Sequence, residues 1–329
     1  MKPQTRIRVI VPVYNEAHTL PTFLARLRMN METIKAKLPC ELSVVFVNDG
    51  SGDRSCEIIK NFSFGKCNCE IIELSRNFGK EAALSAGIDA CDDVDAAIMI
   101  DADLEHPPEL MQKLIETWLE TRADSVFYYK EDRQKAEGLI KSVFSVWFYR
   151  LMNSGTNYKL FNNAGDFRIM GSKFIQALQS LPENQRFLKG LYGWIGFHQV
   201  GIAFTPGARQ NGKSNYPPIA LFLLALNGLT SFSVTPLRMM MVFGVIISGL
   251  SILYGVFIAV EALLFPGMPP GTASVLSLIA FFSGIQLLCL GLIGEYIGRI
   301  LSESKRRPAY IVKEHTHIGS EQDASDDHR

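Results

Sequence analysis

Ala96-Ala97-Ile98-Met99-Ile100-Asp101-Ala102-Asp103 is the stretch on which the reading of this chain turns. Five consecutive apolar residues suit a strand covered on both faces, as in a parallel sheet. Two carboxylates one residue apart then stand at the strand's tip. Such a pair suits a divalent cation and the diphosphate that the cation holds, because Mg2+ and Mn2+ take hard oxygen ligands and bind alongside phosphates.

On the N-terminal side, strands and helices alternate. Ile7-Arg8-Val9-Ile10-Val11 reads as a strand ending at Pro12. Ala17, Leu20, Phe23, Leu24, Leu27, Met31, Ile34 and Leu38 recur at three and four, the stripe of an amphipathic helix. Leu42 to Val47 and Glu70 to Leu74 are further strands, with Asp53 as a cap for a short helix between them. A helix from about Lys80 to Ala90 precedes the Ala96 strand. Pro107-Pro108 opens another helix, and Ser125 to Tyr129 makes a fifth strand. The alternation predicts an α/β fold with a mostly parallel sheet and helices on both faces. In such sheets ligands bind beyond the carboxyl ends of the strands. Four successive ends here are polar: Tyr14-Asn15-Glu16, Asn48-Asp49-Gly50-Ser51, Ser75-Arg76-Asn77 and Asp101-Ala102-Asp103. Past Arg150 the pattern is irregular, and the segments 162–168, 186–199 and 209–214 are expected to be loops and short elements closing over the crevice.

On the C-terminal side, Met239 to Val260 and Ala262 to Gly294 contain no Asp, Glu, Lys or Arg. At ~1.5 Å rise per residue each can cross a hydrocarbon layer of ~30 Å. Phe265-Pro266-Gly267-Met268-Pro269-Pro270-Gly271 is a short, breaker-rich connection between them. Arg238 precedes the first span, and Arg299, Lys305, Arg306 and Arg307 follow the second. The positive-inside rule then places both termini and the large N-terminal domain in the cytoplasm. Arg6 to Val13 is too short an apolar run for a signal peptide. The expected organisation is a catalytic domain over residues 1–216, an interfacial amphipathic region over 217–235, transmembrane helices over 236–264 and 272–298, and a basic juxtamembrane segment with a disordered tail over 299–329.

Composition removes other classes. Lys+Arg and Asp+Glu are both 33, so no overall charge favours nucleic acid. The six cysteines have no paired metal spacing and are expected to be free thiols; the six histidines are scattered, with His315 and His317 in the polar tail. Gly50-Ser51-Gly52 begins a dinucleotide fingerprint, but Ser55 stands at the third glycine position and Asp49 would face a pyrophosphate. No G-x-x-x-x-G-K-[ST] occurs. A sugar nucleotide remains: Asp49 suits a base or ribose hydroxyl, and Asp103 suits the metal beside its phosphates.

The motifs Val11-Pro12-Val13-Tyr14-Asn15-Glu16, Val47-Asn48-Asp49-Gly50-Ser51-Gly52-Asp53, Arg76-Asn77-Phe78-Gly79-Lys80 and Asp101-Ala102-Asp103-Leu104 with Pro107-Pro108-Glu109 resemble glycosyltransferase family 2, whose catalytic domain has the Rossmann-like GT-A fold. Asn163 to Arg168, Arg209 with Gly212-Lys213-Ser214, Ser231-Phe232-Ser233 with Pro236-Leu237-Arg238, and Gly294 to Arg299 resemble its polyisoprenyl-phosphate branch, which includes dolichol-phosphate mannose synthases and bactoprenol glucosyl transferases. The resemblance runs from Ile7 to about Val312. It implies inverting transfer of a hexose, glucose first, from a UDP-sugar to undecaprenyl phosphate at the cytoplasmic face of a bacterial inner membrane. It also implies dependence on Mg2+ or Mn2+, a homotetramer, and a role in O-antigen modification of lipopolysaccharide.

Position by position, the resemblance gives Pro12, Tyr14, Glu16 and Asp49 to the nucleotide, with Arg76 and Lys80 beside it. Asp101 meets the ribose or the metal, and Asp103 ligates the metal. Asp166 and Arg168 are catalytic candidates. Arg133, Arg209 and Ser214 are linked to the phosphates, chiefly that of the acceptor. Glu105-His106, Lys130 and Asn215 depart from the family's frequent residues. A lipid monophosphate has a second pKa of about 6 and hardly needs a general base. Asp166 is therefore expected to orient Arg168 or a sugar hydroxyl, or to steady positive charge at the anomeric carbon. Arginines present a planar fork to phosphate, whereas Lys213 and Arg150 also suit solvated loops. A processive polysaccharide synthase would carry Gln-x-x-Arg-Trp, a context that Trp147 and Trp194 lack. A flippase or inert scaffold fits less well, because the spans hold no internal ionisable group and both carboxylates at 101 and 103 are intact.

Overall fold

The computed structural model describes residues 4–65, 67–130, 164–183, 186–204, 235–264 and 271–318. Two compact units are distinguished among them. One carries the sheet and takes in the chain again from Arg307; the other holds two long helices.

Strands β1 (Thr5–Val13), β2 (Cys40–Asn48), β3 (Cys69–Leu74) and β4 (Ala96–Met99) run parallel, with β1 between β4 and β2. Their side chains alternate between two helical layers, which is why these strands are apolar throughout. Val9, Val11, Val44, Phe46 and Ile98 join Phe23, Leu24, Leu27 and Met31 of α1 (Leu20–Lys37) in one buried cluster. Ile10 faces the other way, onto α3 (Lys80–Asp89). A Cβ on Gly87 would stand 2.2 Å from Ile10 Cγ2, so only glycine lets the helix lie this close. The short helix α2 (Ser55–Lys60) has Arg54 at its N-cap position rather than the expected Asp53, which stands one residue earlier and accepts the Ser55 N–H on Oδ1 at 3.0 Å. Helix α4 (Met111–Thr121) follows the Pro107-Pro108 turn.

The sheet is larger and more mixed than the sequence predicts. Its order is β7 (Gln199–Phe204), β5 (Ser125–Lys130), β6 (Ala164–Gly171), β4, β1, β2, β3 and β8 (Val312–Ile318). The segment around Asp166, expected to be a loop, is strand β6 (Ala164–Gly171), antiparallel to both β4 and β5 (Ser125–Lys130). Its apolar period is broken by Gly165 and the buried Arg168, which hid it. Helices α5 (Ser172–Gln179) and α6 (Leu188–Trp194) lead to β7 (Gln199–Phe204), parallel to β5.

The tail is a second correction. Val312–Ile318, expected to be disordered, forms β8, an edge strand antiparallel to β3. Its sequence is polar because an edge strand is held by its backbone ladder and shows most of its side chains to water. Tyr310 Oη donates to Asp89 Oδ2 at 2.8 Å, and Lys60 pairs with Glu314 at 3.3 Å.

In the second unit, α7 (Thr235–Leu264) and α8 (Thr272–Ser304) are apolar around their circumference. Their windows Met240–Phe257 and Phe281–Ser304 have mean hydropathies of 2.2 and 1.4, with no residue buried. Segment 217–234 lies outside the described residues.

Candidate active site

The loops after β1, β2 and β3 are stitched together before any ligand is considered. Ser51 Oγ accepts the Asn15 N–H at 3.0 Å, Asn15 Oδ1 accepts the Gly52 N–H at 2.9 Å, and Ser55 Oγ accepts the Glu16 N–H at 2.9 Å. Asp49 spans the next gap: its two oxygens accept the N–H groups of Phe78 at 2.7 Å and Gly79 at 2.9 Å. Burial pushes the Asp49 carboxyl above the ordinary range, and those two N–H bonds pull it back. Gly50 makes the close approach possible. It sits at φ +66°, and a Cβ there would lie 2.4 Å from the Arg76 carbonyl carbon.

A cleft of about 230 Å3 opens between these loops. Pro12, Tyr14, Glu16, Asp49, Lys80, Asp101 and Asp103 line it, together with Asn77, Gly79 and three apolar neighbours. Seven expected site residues thus converge as the strand-tip argument requires. Its charged lining is four carboxylates against one lysine.

Lys80, in the first turn of α3, is already engaged. Its Nζ lies 2.7 Å from Asp101 Oδ2 and 3.0 Å from Asp166 Oδ2. The β4–β6 register pairs Met99 with Arg168; continued by two residues, it sets Asp101 beside Asp166. Lys189 of α6 approaches Asp166 at 3.8 Å. Burial opposes the charge on Lys80, but Asp166 and Asp101 outweigh it and raise the pKa of the ammonium. Burial also works against the Asp166 carboxylate, yet Lys189 and Lys80 together hold its pKa below the ordinary value. Asp101 is pushed up by burial against the pull of Lys80.

Of the alternatives that the sequence left open for Asp166, a pairing with Arg168 is not the one the structure draws. Among the described residues, Asp166 pairs with the two lysines and not with Arg168. Arg168 is 1% exposed. Its guanidinium carbon lies 3.6 Å from the Tyr192 ring centroid and 5.3 Å from that of Phe127, and Nη2 donates to Gly165 O at 3.4 Å. Arg168 therefore packs against two rings and is not among the residues that line the cleft. Arg76 also lies outside the lining: its Nη1 donates to Asn77 O at 2.8 Å, and the guanidinium covers the Phe78 ring at 4.0 Å. Arg133, Arg209 and Ser214, with Lys213 and Arg150, lie outside the described residues.

Sequence reasoning missed three neighbours of this cluster. Tyr192 is buried over Arg168, and Lys189 belongs to a helix the sequence left unassigned. Glu81 accepts the Leu188 N–H at 3.0 Å; burial lifts its pKa to about 7, against that bond and with help from Asp166. Only Glu81 had a signal, standing directly after the Arg76–Lys80 motif.

Asp103 suits a cation by its own geometry. It is exposed at the cleft, and Oδ1 is fixed by the Glu105 N–H at 2.9 Å after a turn with Leu104 at φ 60°. With Asp101 it offers the hard oxygen donors that Mg2+ or Mn2+ take.

A parallel-cored sheet with an acidic cleft beyond its strand ends, extended by a late antiparallel strand, is the GT-A fold. The chain belongs to glycosyl transferase family 2, whose domain matches residues 8–178; residues 235–300 match the GtrB C-terminal hairpin. It is 38% identical to the bactoprenol glucosyl transferase of Shigella phage SfV, over 94% of this chain and 98% of that one. It is also 38% identical to the SfII prophage-derived bactoprenol glucosyl transferase of Shigella flexneri, over 96% and 99%. Among solved structures it is similar to the glucosyl-3-phosphoglycerate synthase of Mycobacterium tuberculosis in complex with UDP, with 17% identity, a TM-score of 0.46, and 70% and 79% of the two chains covered. The protein is a glycosyltransferase, and its hairpin with two apolar helices makes it membrane-associated.

Proposed function

We propose that this enzyme transfers glucose, with inversion, from UDP-glucose to undecaprenyl phosphate at the cytoplasmic face of the membrane. The relatives named bactoprenol glucosyl transferase, matched over nearly their whole length, support the donor sugar and the lipid. The observation that carries the reading is the charge of the cleft. Four carboxylates and one lysine line it, and the lysine is bound to Asp101 and Asp166. A diphosphate cannot enter so acidic a site alone; it enters with a divalent cation. Asp103 and Asp101 would hold that ion, which would neutralise the charge left on the diphosphate as the glycosidic bond breaks.

The chain's own residues do the rest. Tyr14 is 48% exposed at the rim and presents a ring to the base. Pro12 and Glu16 close the same side. Asp49 keeps the second and third loops in register by its two backbone bonds, so that the ribose pocket is formed before the donor arrives. A phosphate oxygen of the acceptor attacks the anomeric carbon and forms the new C–O bond. The bond from that carbon to the UDP oxygen breaks, and UDP leaves with the electron pair. Asp166, kept ionised by Lys80 and Lys189, faces the carbon on which positive charge develops. Lys80 stays protonated and is placed to pass from Asp101 to a donor phosphate oxygen. Arg133, Arg209 and Ser214 receive the acceptor phosphate by resemblance alone.

We also infer that α7 and α8 cross the bilayer as a hairpin, with both termini in the cytoplasm. Helices of 30 and 33 residues exceed the ~30 Å hydrocarbon layer at ~1.5 Å per residue. The test is purified enzyme with undecaprenyl phosphate, Mg2+ or Mn2+, and a panel of radiolabelled UDP-sugars. Glucose label should move into the organic phase, and chelation with EDTA should stop it. A polymeric product, or no lipid-linked product from any UDP-sugar, overturns the reading.

A further inference from the structure

The C-terminal strand carries a second cluster of ligating side chains, remote in sequence from the cleft residues. In β8, His315 and His317 are two residues apart and therefore share one face of the strand. Antiparallel pairing sets His317 opposite Glu70 and His315 opposite Ile72. The two imidazoles stack with centroids 5.4 Å apart and planes at 23°. Glu70 Oε2 lies 3.1 Å from His315 Nε2, and Glu70 Oε1 lies 3.8 Å from His317 Nδ1. One ligand atom from each of the three residues falls within 4.8 Å of the other two.

We propose that Glu70, His315 and His317 form a binding site for a divalent transition ion of the zinc type. Such an ion clips the C-terminal strand to the edge of the catalytic sheet. Two imidazoles and one carboxylate make the donor set that Zn2+ takes, with a fourth position open to water. Bonds of ~2.0–2.1 Å in a tetrahedron place neighbouring ligand atoms about 3.3 Å apart. The Glu70–His315 pair already has that spacing. His317, 68% exposed, has room to turn the remaining distance.

Glu70 is the informative member. It is 5% exposed, and a carboxylate so buried needs positive charge or donors beside it. Arg8 supplies one, with Nη2 at 3.2 Å from Oε1, and is itself tied to the backbone carbonyl of Ala90. That leaves Oε2 directed at His315, while His317 approaches the oxygen that Arg8 holds. The arrangement is a carboxylate ligand oriented from behind by an outer hydrogen bond, the usual support of a metal ligand. Arg8 opposes a cation by its charge. That charge also leaves the three-ligand cluster with little net negative charge, so a soft-to-borderline ion bound by nitrogen is favoured over Mg2+. The cluster differs in this from Asp101 and Asp103, which offer only oxygen.

The experiment uses the full-length protein in detergent, free of any histidine tag and stripped with chelator. Zn2+ is titrated in by calorimetry with Mg2+ in excess, so that the carboxylates of the cleft are occupied. The expected result is one equivalent of Zn2+ per chain, with slower amide exchange over residues 312–318 when it is bound. Glu70→Gln should weaken binding more than tenfold. The double variant His315→Ala/His317→Ala should abolish it while transferase activity is retained, since these side chains stand outside the cleft. Co2+ in place of Zn2+ should give the visible absorption of a tetrahedral site in the native protein and none in the double variant. Absence of saturable Zn2+ binding, or the same affinity in the double variant, overturns the proposal.

Discussion

At the scale of single residues, the site is an exercise in compensating charge. Asp166 sits between Lys80 and Lys189, which hold it ionised in a buried place. Asp166→Asn keeps the shape and removes the charge. Turnover should fall by about 100-fold or more, the scale of losing one preorganised electrostatic group, while donor affinity changes little; single-turnover rates beside equilibrium binding of UDP-glucose would separate the two. Asp101→Asn together with Asp103→Asn should leave no measurable glucosyl transfer at any Mn2+ concentration. Glu81 is a stability reporter. Its pKa is raised to about 7 in the folded state from 4.5. The protonated form therefore favours folding: this contribution is complete below pH 4.5 and is lost as pH rises through 7. Glu81→Gln should flatten the pH dependence of denaturation across that window, removing up to about 3 kcal/mol of variation. An unchanged profile would show that Glu81 titrates normally.

Secondary elements set how closely those residues can meet. Helix α3 places Lys80 over the β4 tip only because Gly87 lets the helix rest on Ile10; a Cβ there would clash with Ile10 Cγ2 at 2.2 Å. Gly87→Ala should force the helix outward and destabilise the fold by roughly 1–3 kcal/mol, the usual cost of overpacking. It should also lower turnover, because Lys80 rides on the same helix; thermal melts and kcat on one preparation test both. Strand β6 has the complementary task of carrying Asp166 to Asp101 across an antiparallel pair. Its apolar alternation was interrupted at Gly165 and Arg168, so no local pattern announced it. The four parallel strands were legible because both their faces are covered, which leaves a continuous apolar run in the sequence.

At the scale of the whole chain, the long helices and the tail make separate demands. On α7, Leu250 is 60% exposed. If this helix crosses the bilayer as proposed, Leu250→Arg near its middle costs about 2.5–3.5 kcal/mol of insertion free energy, and the membrane-bound fraction on flotation should drop. Local sequence alone determined the apolar spans and the strand-tip motifs, because each is written in residues adjacent along the chain. Tertiary structure alone decided that Asp166 meets two lysines, that Arg168 is buried against Tyr192 and Phe127, and that a polar tail returns as β8 to face Glu70. Those pairings join residues as many as 245 positions apart. The physical reason is that hydrophobic period reports which side of an element is dry, whereas the partner of a buried charge is chosen by sheet register, which no single segment encodes.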